Sequence, residues 1–276
     1  MSVINTNVKS IVAQNALAVN NRSLSKAMEQ LSTGKRINTA ADDAAGLAIT
    51  DRMTAQIRAL NQSIRNANDA VSMMQTAEGA TNEISNMLQR MRELAVQSAN
   101  DSYGTNDRTA LQTENDQLKE EITRIASNTQ WNGMSVLNGN IGSAGVVTFQ
   151  VGTQGDATSS ITVEFKALDA TTLTVDSLQL DSNANAQAAI GKLDTAIQTV
   201  DTFRATLGAK INRMTSAADN LSNVSMNTSA SRSRIMDADY AQATTELARS
   251  QIIQQAATAM LAQANQSSQN VLALLK

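Results

Sequence analysis

Few residues in this chain could do chemistry, and the ones that could are lysines and, above all, paired carboxylates. Asp42 and Asp43 are adjacent, Asp237 and Asp239 flank Ala238, and Glu120 and Glu121 stand side by side. Paired carboxylates are what a divalent cation or an acid/base pair of the glycosidase kind would use. Nothing stands beside them to complete such a site. The chain contains no histidine and no cysteine. That removes the usual proton shuttle, the thiolate nucleophile and the zinc-thiolate centre. Helix capping accounts for the aspartates, since each pair precedes a helical pattern and a carboxylate there accepts the free N–H groups of the first turn. Glu120-Glu121 reads as a solvated helix face. No catalytic, cofactor-binding or metal site is expected, and no enzymatic activity.

The elements that would position any site are long helices. There is no proline in 276 residues. Apolar residues recur at heptad spacing at both ends, and such a stripe must be covered by another helix. Leu17, Leu24 and Leu31 recur every seven residues with Met28 between the last two, and Ile253, Ala257, Met260, Ala264, Ser267, Val271 and Leu274 repeat near the C-terminus. The first helix is expected over 5–32, with Asn5 or Thr6 as its cap and Gly34 as a left-handed C-cap. A second is expected over 44–99, on a seam of Ile57, Leu60, Ile64, Ala67, Val71 and Met74. That seam slips phase and resumes as Ala77, Thr81, Ile84, Leu88, Met91 and Ala95. A third is expected over 107–128.

Asn-Gly pairs between Trp131 and Asn140 mark turns, with Trp131 as a packing anchor. The β-branched runs 146–151 and 160–165 predict a hairpin, and 173–175 a third short strand. A fourth helix begins near Asn185, with Ile190, Leu193, Ile197, Val200, Arg204, Leu207, Ile211, Met214, Ala218 and Leu221 on its seam. Arg204 is unusual there and is expected to snorkel or pair with an acid. A polar break is expected over 223–233, then a last helix over 239–274. The fold class is therefore mainly α, a long antiparallel helical bundle or coiled coil with a small β-hairpin region at about 141–180. The simplest arrangement is a hairpin-shaped chain with both termini at one end.

Composition narrows the partners. The net charge is −3 and aromatics are 2% of residues, so neither the basic face nor the stacking platform of a nucleic-acid binder is present. No segment has the roughly 18 apolar residues of a bilayer span. The start, MSVINTNVKSIVAQN, lacks an apolar core segment and a small-residue cleavage site, so any export is expected to proceed without a cleaved signal peptide.

Several long segments resemble the bacterial flagellins. LSTGKRINTAADDAAGLAIT (31–50), LQRMRELAVQSAN (88–100) and TQWNGMSVLNG (129–139) are similar to the N-terminal half of that family. SRIMDADYA (233–241) and AQANQSSQNVLALLK (262–276) are similar to its C-terminal end. VTFQVGTQG (147–155) and ITVEF (161–165) resemble the hairpin of its inner-tube domain. Only residues 141–184 separate the matching blocks, so the resemblance is to a minimal flagellin with two core domains and no large outer domain.

The resemblance implies a discontinuous terminal coiled-coil domain, 1–42 with 235–276, forming the inner core of a filament. It implies a second domain, 43–234, forming the filament wall. It implies a structural subunit that self-assembles head to tail into a helical tube for swimming motility, extracellular and exported through the flagellar type III channel. The implied partners are further copies of the chain, an export chaperone, and the filament cap and junction proteins. Arg90, Leu94 and Glu114 match the positions by which recognised flagellins engage the host's flagellin-sensing Toll-like receptor, and subunit packing is the alternative use of the same residues. Leu17, Leu24, Met28, Leu31, Ile253, Met260, Val271, Leu272, Leu274 and Leu275 are the expected terminal assembly seam. A hook–filament junction protein, with related termini, is the alternative function.

Overall fold

The computed structural model describes the backbone of residues 6–273 and side chains as far as 266. Helices dominate. In chain order they are α1 (Val8–Thr33), α2 (Ala44–Ser98), α3 (Thr105–Asn128), α4 (Asn183–Met236) and α5 (Tyr240–Ala273). Two antiparallel hairpins interrupt them: β1 (Gln130–Trp131) with β2 (Met134–Ser135), and β3 (Val146–Gln150) with β4 (Ser160–Glu164). The chain forms two compact units, Met1–Ile57 with Met226–Lys276, and Arg58–Ser225. The expected mainly α fold with a mid-chain hairpin region is the observed fold class.

The helix ends follow local chemistry. Asn7 caps α1 by accepting the Ser10 N–H at 3.2 Å, one residue past the expected Thr6; the alternative cap, Asn5, lies outside the described residues. Gly34 ends α1 with φ +69, a left-handed conformation that glycine enters without a Cβ clash. Asp43 caps α2 through Gly46 N–H at 2.8 Å, and Asp239 caps α5 through Ala241 N–H at 2.9 Å. The extra hairpin β1–β2 turns at Asn132-Gly133, both at positive φ (48 and 77), the pairing that a two-residue hairpin loop with the sheet's own twist requires.

Three expectations change. The polar stretch 223–233 is helical, because α4 runs on to Met236. Side-chain bonds replace apolar burial there: Ser225 Oγ donates to Asn61 Oδ1 at 2.9 Å, and Arg232 Nη1 reaches Thr54 Oγ1 at 3.4 Å. Residues 173–175 are not a strand. They lie in a tight turn in which Val175 N–H bonds to Ala170 O at 2.9 Å.

The phase slip at Met74–Ala77 is also absent. Buried positions on α2 step by three and four without a break through Leu60, Ser63, Ala67, Ala70, Met74, Ala77, Thr81, Ile84, Leu88, Met91, Ala95 and Ser98. Ser63 and Ala70, not Ile64 and Val71, take the seam. The hairpin end reaches α2 at this level, where Ser63 Oγ donates to Gly152 O and Asn66 Nδ2 to Gln150 O.

The core of the second unit lies among α2, α3, α4 and the β3–β4 hairpin, with Leu88, Ile122, Phe165 and Leu207 all at most 1% exposed. Antiparallel α2 and α4 are marked at two levels, by Asn61 with Ser225 and by Arg92 with Asp194 at 2.6 Å. The buried row of α4 runs Ala189, Leu193, Ala196, Val200, Phe203, Leu207. Arg204 therefore flanks the seam rather than occupying it, with Asp201 Oδ1 4.0 Å away and its own Nε buried without a hydrogen bond. Segment 166–182 seals this core with Leu168, Leu173, Val175, Leu178 and Leu180. Gln112, Lys119 and Ser98 fix it by bonding the main chain of Leu178 and Leu180.

Candidate assembly surface

In the first unit α1 and α5 pack antiparallel. Asn7 Nδ2 donates to Ala264 O at 3.2 Å, Asn20 Nδ2 to Ser250 O at 2.8 Å, and Tyr240 Oη to Leu31 O at 3.1 Å. The residues facing inward keep heptad spacing on both helices. On α1 they are Ser10, Ala13, Leu17, Asn20, Leu24, Ala27 and Leu31, and on α5 Ala243, Leu247, Ser250, Gln254, Ala257, Leu261 and Ala264. Most are small or polar, so the two backbones approach closely and little apolar surface is removed from water.

Many of the apolar residues point elsewhere. Val8, Ile11, Val12, Val19 and Met28 on α1, with Ile252, Ile253 and Met260 on α5, are 43–66% exposed. Val8, Val12, Ala16, Ile253, Ala256 and Met260 line an open apolar groove between the two helices. Of the expected assembly residues, Leu17, Leu24 and Leu31 thus sit in the intramolecular seam, and Met28, Ile253 and Met260 lie outside it. The side chains of Val271, Leu272, Leu274 and Leu275 lie outside the described residues. Sequence reasoning missed Ile11, Val12 and Val19 because they break the heptad register. Their signal is a second apolar stripe one position away from the first.

The base of the pair is a clasp. Arg36 N–H bonds to Met236 O at 2.7 Å and Ala238 N–H to Gly34 O at 3.0 Å, forming an antiparallel bridge between Lys35 and Asp237. The Arg36 guanidinium donates to Ile235 O through Nε and Nη2, at 3.2 and 2.7 Å. It thereby caps the carbonyl end of α4, where a cation is favoured. Asp42, expected as a cap, instead closes the 38–43 turn. It receives Lys26 Nζ at 2.8 Å and the N–H groups of Asn38 and Thr39 at 3.2 and 3.0 Å. Lys26 above all, with those N–H groups, holds the Asp42 carboxyl well below the usual carboxylate range. No group of acidic residues among the described residues is arranged to hold a metal ion.

In the second unit Arg90 and Glu114 meet. Arg90 donates through Nε to Glu114 Oε1 at 2.9 Å and through Nη1 to Glu93 Oε2 at 3.0 Å. Glu93 first, then Glu114, raises the Arg90 pKa. Leu94 is not part of that exposed group. It is 1% exposed and belongs to the core.

A helical pair with a weak internal seam and an uncovered apolar face belongs to a structural, polymerising type of protein. The comparisons with known proteins are specific. Residues 4–141 match the bacterial flagellin N-terminal helical region, and 190–275 match the bacterial flagellin C-terminal helical region. A flagellin of Halalkalibacterium halodurans is 43% identical over 274 residues, covering 99% of this chain and all of that one. The flagellar filament 33 kDa core protein of Treponema phagedenis is 41% identical over 285 residues, at 99% and 100% coverage. The crystal structure of Bacillus cereus flagellin aligns with TM-score 0.50 and 38% identity, over 57% of this chain and 88% of that one. The chain belongs to the bacterial flagellin family, and it is a structural subunit of the extracellular flagellar filament. Among the described residues no helix is long and apolar enough to cross a membrane.

Proposed function

We propose that the chain polymerises head to tail through its terminal helical pair. Residues 1–42 and 235–276 then form the inner core of the tube, and 43–234 its wall. One observation carries this reading: eight apolar residues of α1 and α5, Val8, Ile11, Val12, Val19, Met28, Ile252, Ile253 and Met260, lie exposed outside their own seam, a surface suited to covering by another copy of the chain. Burying the exposed part of each contributes about 1 kcal/mol. Contacts that repeat without closing a ring give a filament.

The same imbalance sets the state of the free chain. With a seam in which small and polar residues outnumber the leucines, and with apolar residues left uncovered outside it, the terminal helices are largely disordered before assembly and fold onto neighbouring copies. Hydrogen exchange on free chain and filament tests this: slow exchange of 1–35 and 245–276 in the free chain would refute it. Polymerisation of the purified chain alone tests the filament reading against that of a hook–filament junction protein, which would not grow long filaments unaided.

Family membership supports, as further parts of this proposal, export through the flagellar type III channel without a cleaved signal, delivery by a chaperone, and contacts with cap and junction proteins. It also supports recognition of the free chain by the flagellin-sensing Toll-like receptor at Arg90, Leu94 and Glu114. In this reading Arg90 and Glu114 supply the exposed contact, and Leu94 holds α2 in place beneath them.

A further inference from the structure

Sulfur chemistry in this chain falls on methionine alone, since there are twelve methionines and no cysteine. Exposure divides them. Met73, Met74, Met91 and Met214 are at most 1% exposed, while Met28, Met134, Met226 and Met260 are 42–65% exposed. Of those four, Met260 is the one among the residues lining the apolar groove between α1 and α5, next to Val8, Val12, Ile253 and Ala256. An exposed thioether on an apolar surface combines access for an oxidant with a large change of polarity on oxidation.

We propose that Met260 is an oxidation site through which peroxides reversibly block assembly. The proposal rests on the reading that a second copy covers this groove. The Met260 sulfur attacks one peroxide oxygen. The O–O bond breaks, an S–O bond forms, sulfur gives up two electrons, and the other oxygen leaves as water after taking up the proton. The product is a polar sulfoxide whose oxygen is hydrogen-bonded by water in the free chain. Covering the groove strips that water away, and an unpaired polar atom in an apolar contact is costly. Once the groove is covered, the same sulfur is shielded. Assembled subunits therefore resist a reaction that disables free ones, and methionine sulfoxide reductases reverse it.

The experiment treats purified full-length chain with hydrogen peroxide, once as free chain and once as filament. It maps the oxidised methionines by mass spectrometry and measures the critical concentration for polymerisation. Met260 sulfoxide is expected in the free chain and not in the filament, while Met134 oxidises in both. The critical concentration of oxidised chain is expected to rise about tenfold, and reductase treatment to restore it. Met260→Leu keeps the apolar bulk and should lose most of the peroxide effect, the remainder falling on Met28, the other exposed methionine of the terminal pair. Met260→Gln should raise the critical concentration without peroxide. Equal oxidation of Met260 in free chain and filament would overturn the proposal, as would a Met260→Leu chain that peroxide disables as readily as the original. If untreated chain forms no filament, the assembly reading itself falls.

Discussion

Asn20 donates from Nδ2 to the main-chain oxygen of Ser250 at 2.8 Å, inside the seam of the terminal helical pair and only 7% exposed. A buried amide at a seam position fixes helix register at a cost in stability. Asn20→Ala removes the bond and leaves a gap, at about 1 kcal/mol. On the reading that the pair folds on assembly, the expected readout is a roughly fivefold rise in critical concentration. Thermal unfolding of the second unit should not change.

Acid acts on the 38–43 turn through Asp42. Its folded pKa is depressed below the ordinary 3.8, chiefly by Lys26. Its stabilisation is therefore complete above the unfolded pKa and is lost as pH falls toward the folded value. Filaments of the original chain should resist thermal dissociation better than Asp42→Asn filaments at about pH 6, with the difference shrinking steadily as pH falls below about 4. An advantage that grew on acidification would contradict the assignment.

Lys119 is 8% exposed and holds Leu178 O at 2.7 Å and Asp116 Oδ1 at 2.9 Å. Lys119→Met keeps the stem but leaves the Leu178 carbonyl without this partner, at about 1–3 kcal/mol. Circular dichroism should show a lower melting temperature for the second unit. Proteolysis should first cut within 166–182, the segment that loses its anchor.

Receptor recognition is testable because Arg90 and Leu94 differ so much in burial. Arg90→Ala removes exposed ion pairs of small energetic weight. It should leave melting unchanged while lowering a Toll-like receptor reporter response. Leu94→Ala opens a cavity in a close-packed core and costs about 2–5 kcal/mol. Its reporter response is interpretable only beside its melting curve. An unchanged response in the Arg90 variant would remove that residue from the recognition surface.

Much of the fold was readable from apolar spacing and end signals. Gly34, Asp43, Asp239 and the β3–β4 hairpin stand where their residue types place them. What misled was the assumption that the largest apolar residues define the seam. On α2, Ser63 and Ala70 displaced Ile64 and Val71. On α4, Phe203 displaced Arg204. On α5, Gln254 and Leu261 took the positions expected of Ile253 and Met260. On α2 close helix approach selects small side chains, which apolar size alone cannot reveal, whereas on α4 and α5 the seam is shifted by one position from the expected register. The 223–233 stretch failed as a break for a related reason. Absence of an apolar stripe does not end a helix that has no proline or glycine to stop it, and side-chain bonds to Asn61 and Thr54 hold it in place.

The separation of inward from outward positions on α1 and α5 divides responsibility between two sets of residues on the proposed assembly reading. A change at Ala257 or Ala27 alters how one chain pairs with itself, and a change at Val12 or Met260 alters how chains hold one another. On the assembly reading both sets tune polymer strength while the second unit keeps its fold, so that filaments of different durability are reachable by single substitutions in the terminal pair.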